Sequence, residues 1–90
     1  MVKIPIFSDV FGTPSGEIVA DEENISVRHK DLKLTVPISY LYDAIIVERK
    51  ELGKVKAKII IYDTVGIKNE IDCILSDSNF FLLKSFIKRK

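Results

Sequence analysis

The stretch EIDCILSDSNFFLLKSFIKRK, Glu70–Lys90, changes its period part-way along. Ile71, Cys73 and Leu75 alternate with Glu70, Asp72 and Ile74, the two-residue repeat of a strand with one buried face. Beyond SDSN, Ser76–Asn79, the repeat lengthens. At about 100° per residue, Phe80, Leu82, Leu83, Phe86 and Ile87 fall within one arc of about 160°. Lys84, Ser85, Lys88 and Arg89 take the opposite side, and Phe81 is the exception. Ser76–Asn79 supplies N-cap candidates, and basic residues in the last turn suit the negative end of the helix dipole. The pattern predicts a capped amphipathic helix over about 78–89 that lays Phe80, Leu83, Phe86 and Ile87 on a sheet.

Upstream of this point nearly everything alternates with period two. Val2, Ile4 and Ile6 share one face of a first strand, and Pro5 marks it as an edge because it cannot donate to a ladder. FSDVFGTPSGE reads as a loop or wide turn. Ile18–Ala20 and the Ile25/Val27 segment make a hairpin through DEEN, Asp21–Asn24. A charged turn, Arg28–Asp31, leads to Leu32, Leu34 and Val36. After Pro37 comes ISYLYDAIIVE, where apolar residues from Ala44 to Val47 point to a strand covered on both sides. Val55, Ala57, Ile59 and Ile61 share one face of the next strand, with Lys56, Lys58, Ile60 and Tyr62 on the other. About seven strands joined by short turns predict an antiparallel meander. In one small domain covering 1–90, it curls into a barrel or split barrel closed by the C-terminal helix, a mainly β fold.

The 90 residues are 47% apolar and 30% charged, the balance of an ordinary folded protein. A net charge of +1 argues against a dedicated duplex-binding surface. One cysteine excludes an intrachain disulfide and, with one histidine, leaves no zinc cluster. Those counts, a start without a signal peptide and the lack of a bilayer-length apolar run point to the cytoplasm. Abundant Ile and Lys without Trp or Gln fit a thermophilic source.

No candidate for catalysis, cofactor or metal stands out. GTPSG, Gly12–Gly16, lacks the lysine and following helix of a phosphate loop. The consecutive acids Asp21–Glu23 do not alternate as calcium ligands do. His29 reads as a surface residue in a charged turn and Cys73 as a buried, inert thiol. The expectation is a non-enzyme. Two surfaces remain. Ile60, Tyr62 and Ile74 share the outward parity and form an apolar strip for a protein partner or a second copy, unless the helix covers them. Lys54, Lys56 and Lys58, with the terminal Lys88, Arg89 and Lys90, give a less favoured nucleic-acid surface.

The segment GEIVADEENISVRHKDLKLTVPISYLYDAIIVE, Gly16–Glu48, resembles the first half of archaeal and bacterial pleckstrin-homology-like (PH-like) domains. Val36, Pro37, Ile38, Ser39 and Leu41 carry its characteristic step into the next strand. Lys54–Lys90 then resembles the closing hairpin and helix, and the archaeal taxis adaptor family CheF has this look. The resemblance implies a scaffold for protein contact, with the helix plugging one end of a split barrel. Phosphoinositide-binding members carry a basic loop between their first two strands. With GEIVA taken as the first, the matching loop ADEEN is acidic, so the resemblance implies no such binding. Gly16–Val47 is also similar to a PRC-barrel, an adaptor module, which accounts less naturally for the final hairpin and helix.

Overall fold

The computed structural model describes residues 1–9 and 12–87. Seven strands follow one another: β1 (Val2–Phe7), β2 (Pro14–Ala20), β3 (Asn24–His29), β4 (Leu32–Pro37), β5 (Leu41–Arg49), β6 (Lys54–Tyr62) and β7 (Lys68–Ser76). A 3₁₀ turn, Ile38–Tyr40, joins β4 to β5, and one helix, α1 (Asp77–Lys84), follows β7. The mainly β expectation holds. The strands form one antiparallel sheet in the order β4-β3-β2-β1-β7-β6-β5. The sheet does not close, because β4 and β5 remain unpaired rims. The architecture is that of a split barrel.

Alternation assigns the faces. Ile4, Ile6, Ile18, Ile25, Val27, Val36, Ala57, Ile59, Ile61 and Leu75 all point into one core. The turns are built from their own side chains. Asp21 Oδ1 accepts from the Glu23 and Asn24 N–H groups, both at 2.8 Å, and these bonds hold the Asp21 carboxyl below its ordinary range. Asp63 Oδ1 does the same between β6 and β7, accepting from Val65 and Ile67. Gly16 is required by close approach, since a Cβ there would lie 2.0 Å from the Arg28 carbonyl oxygen on β3.

Three expectations need correction. β1 is not an edge strand but sits mid-sheet, between β2 and β7. Pro5 is tolerated because β7 pairs with β1 at Phe7 alone, so the side of β1 toward β7 carries no ladder at Pro5. As β1 is the first strand, the segment between the first two strands is 8–13 rather than ADEEN, and it too contains no Lys or Arg. Finally, β5 is not covered on both sides. It is a rim, and Ile45 and Val47 are 43% and 55% exposed.

The helix is shorter than its sequence stripe. Ser76 caps it, its hydroxyl accepting from Asn79 N–H at 3.2 Å. Past Lys84 the N–H groups of Phe86 and Ile87 bond three residues back, to Leu83 and Lys84. The helix tightens and stops there, and 88–90 lie outside the described residues. Phe80 and Leu83 are buried in the core, while Phe86 and Ile87 pack half-buried against it. Leu82 is exposed, contrary to its place in the stripe. It and Phe81 each lie about 130° from the mean Phe80–Leu83 direction, one on either flank.

Leu83 therefore carries the lid. Leu83→Ala should destabilise the domain by about 2–5 kcal/mol. Phe81→Ala should cost less, about 0.5–1.5 kcal/mol, the worth of its edge contact with the Phe80 ring. Chemical denaturation followed by circular dichroism measures both.

Candidate functional site

The outer face of β6 carries Lys54, Lys56 and Lys58, as its parity requires, but they do not form an open basic surface. Lys58 Nζ lies 3.2 Å from Glu70 Oε1 on β7. That bond and charge, helped by Lys68, hold the Glu70 carboxyl below its usual value. Lys54 Nζ sits 4.9 Å from the centre of the Phe7 ring, a cation–π contact. Lys56 lines a cleft described below. Lys88, Arg89 and Lys90 lie outside the described residues.

The apolar strip expected at Ile60, Tyr62 and Ile74 is largely closed. Ile60 is 7% exposed and Ile74 9%. Ile60 lies along β6 between the Lys58–Glu70 pair and Tyr62, whose ring meets Tyr42 edge-on with centroids 5.5 Å apart. Ile74 is paired across the sheet with Phe7 on one side and Lys56 on the other. Long stems and aromatic rings can cover apolar surface while leaving their polar ends in water. Tyr62 alone remains partly open. One strand over, β5 exposes Tyr42, Ile45 and Val47; the other exposed large apolar side chains, such as Leu52, Val65, Ile67 and Phe81, lie in turns and on the helix.

The β5 rim has a local peculiarity at Ala44. Its N–H donates to Asp43 Oδ1 at 2.8 Å, and its C=O accepts from Lys84 Nζ of α1 at 2.9 Å. The Lys84 ammonium also lies 3.8 Å from Asp43 Oδ1. Both free-edge groups of Ala44 are thus occupied by charged side chains. Irregularities interrupt the pairing of β5 with β6 between Leu41 and Asp43 and between Ile46 and Glu48, leaving Tyr42 and Val47 as the extra residues. Nothing in the sequence singles out Asp43 and Lys84, which are 41 positions apart.

The chain matches no protein-family model, no curated protein and no solved structure.

A cleft of about 390 Å³ opens at the β1–β7 junction, lined by Phe7, Ser8, His29, Lys30, Lys56 and Cys73 among others. His29 is not a surface residue. It is 6% exposed, and its Nδ1 has no hydrogen-bond partner among the described residues. The parity that runs from Ile25 through Val27 reaches His29, and that signal was present in the sequence. Burial lowers its pKa first and the Lys30 charge second, against a partial rise from a hydrogen bond to the Asp72 backbone. Cys73 is buried, and desolvation, followed by the Asp72 charge, pushes its thiol up to about 12. A thiol held that far above neutral pH supplies almost no thiolate, the form that attacks. Among the described residues no group of three His, Cys, Asp or Glu could hold a metal. None of their helices is long and apolar enough to cross a membrane.

His29 sets a pH dependence. The unfolded chain takes up a proton at the ordinary value of 6.5, which the folded chain resists. Its contribution to stability is complete above that pH and is lost as pH falls through the lower folded value. Asp21 and Glu70 act only below their ordinary values of 3.8 and 4.5. The thermal midpoint should therefore fall between about pH 7 and about pH 5, and His29→Phe should flatten that slope. Differential scanning calorimetry across the window measures both.

Proposed function

We propose that the domain is a non-enzymatic protein-interaction module that docks its partner on the β5 side of the split sheet. The observation that carries this is the exposed row Tyr42, Ile45 and Val47 beside an unpaired rim, continued by the half-buried Tyr62. Large apolar side chains gathered at a sheet edge mark a contact surface, and edge strands receive extended segments from other chains. The PH-like and CheF resemblance supports the reading, since it implies a split barrel plugged by its last helix and used as a scaffold. We favour it over a PRC-barrel adaptor because β6, β7 and α1 pack with the core as one unit. Nucleic acid is the weaker alternative, because Lys58 is engaged with Glu70 and Lys54 with Phe7. The absence of Lys and Arg from segment 8–13 between β1 and β2 supports setting phosphoinositides aside.

The test is a pair of outer-face variants. Tyr42→Lys with Val47→Lys should leave stability within about 1 kcal/mol, as exposed substitutions do. Partner retention or self-association should drop at least about tenfold, the loss of about one anchoring side chain. Equal association in parent and variant would refute the docking side. Retention of single-stranded oligonucleotide that collapses with salt and with Lys54→Ala/Lys56→Ala would replace the reading with the nucleic-acid one.

A further inference from the structure

We propose that β5 pairs antiparallel with β5 of a second copy of this chain, and that the Asp43–Lys84 clasp on Ala44 holds that edge in reserve. The proposal rests on the β5 side being the docking surface, and it names the occupant and the gate.

The backbone pattern supports a self-pairing edge. Ala44 turns both its N–H and its C=O away from β6, as their bonds to Asp43 and Lys84 show. In an antiparallel ladder the outward-turned residues recur every second position, so Ile46 turns out as well. At the far end, Lys50 N–H bonds the Lys54 carbonyl at 2.9 Å. This places Lys50 in the ladder and turns its neighbour Arg49 outward. Val47 is the extra residue at the irregularity between Ile46 and Glu48 and drops out of the count.

A two-fold axis through Ile46 then brings outward groups against outward groups. Ile46 faces its own copy, and Ala44 faces Arg49 of the other chain, on each side of the axis. The same register sets Asp43 opposite the copy's Lys50, a pair of opposite charges. It gathers Ile45 and Val47 from both chains on the outer face. No like charges are set opposite one another, so the edge is complementary to itself.

The clasp decides whether that register can form. Each outward pair exchanges two backbone hydrogen bonds. With Ala44 occupied, both flanking pairs are blocked and only the axial Ile46 pair is left. When Lys84 withdraws from the Ala44 carbonyl and Asp43 turns from the Ala44 N–H to the copy's Lys50, both groups of Ala44 are free to bond Arg49 of the copy. The exchange replaces one cation with another at the Asp43 carboxylate: Lys50, 3.2 Å from Glu48 of its own chain, comes to lie between two carboxylates, and the Lys84 ammonium returns to water.

The experiment is sedimentation equilibrium on the full chain. Lys84→Met keeps the stem and removes the ammonium. It should raise the self-association constant at least about tenfold over the parent, the worth of about one charge-assisted hydrogen bond. Adding Val47→Lys should return it to the parent level or below. Unchanged or weaker association of a folded Lys84→Met chain would overturn the proposal. Should Lys84→Met fail to fold, amide exchange on Lys84→Ala, which also removes the ammonium, decides. Protection of Ile46 and Arg49 must rise with protein concentration, and protection independent of concentration overturns the pairing. If Lys84→Met instead gains only a different protein at β5, the second-copy proposal fails while the docking side survives. If association is indifferent to Tyr42, Val47 and Lys84 alike, both fall.

Discussion

Strands β1 and β7 meet at one paired position, Phe7 with Ile74. The two half-sheets, β4-β3-β2-β1 and β7-β6-β5, are therefore joined by the side chains they share beneath rather than by a ladder. Ile4 and Ile6 from one half and Ile59, Ile61 and Leu75 from the other belong to the same core. Phe80 and Leu83 of α1 join that core from the end. Burying apolar surface has no directional requirement, so it can bridge a junction that hydrogen bonding leaves nearly open. The helix N-terminus is tied down besides, with Asp77 N–H bonded to the Gly53 carbonyl and its carboxylate 3.4 Å from Arg49.

An open junction and an open sheet have consequences for chemistry. The cleft at the junction exposes little of His29 or Cys73, and burial lowers the pKa of the first and raises that of the second. The Cys73 thiol is thereby held in its protonated form, which does not attack. The rims matter more. β4 carries Lys33 and ends at Pro37, both common protections of an edge. β5 has no proline, and its protection is the side-chain clasp at Ala44 together with two interruptions of its pairing. A side chain can withdraw where a proline cannot, and that difference makes β5 the adjustable edge of the two.

The ion pairs on the outer face contribute little to stability, being exposed on both partners. Their effect is on shape and charge. Lys58 with Glu70 and Tyr42 with Tyr62 flank Ile60, so the surface that parity alone would make apolar is mixed. Among the strands it is β5 that leaves Tyr42, Ile45 and Val47 exposed, with no neighbour strand beyond it.

The alternation of Ile, Val and Leu with polar residues made seven strands and their inward faces legible, and the period change after Leu75 marked the helix. Both follow from geometry that a single segment carries by itself: opposite faces at every second residue, one face at every third or fourth. His29 was legible by the same parity, though its charged neighbours pointed the other way. Other features depended on what lies beside each strand. Pro5 signals an edge only if its strand has no neighbour, and Ile60 and Ile74 form an exposed strip only if nothing flanks them. Neighbours are set by the order of strands in the sheet, which pairs residues far apart in the chain. The meeting of Asp43, Ala44 and Lys84 is of the same kind. Local period determined which residues face inward, and only the tertiary arrangement decided which outward ones are left open to a partner.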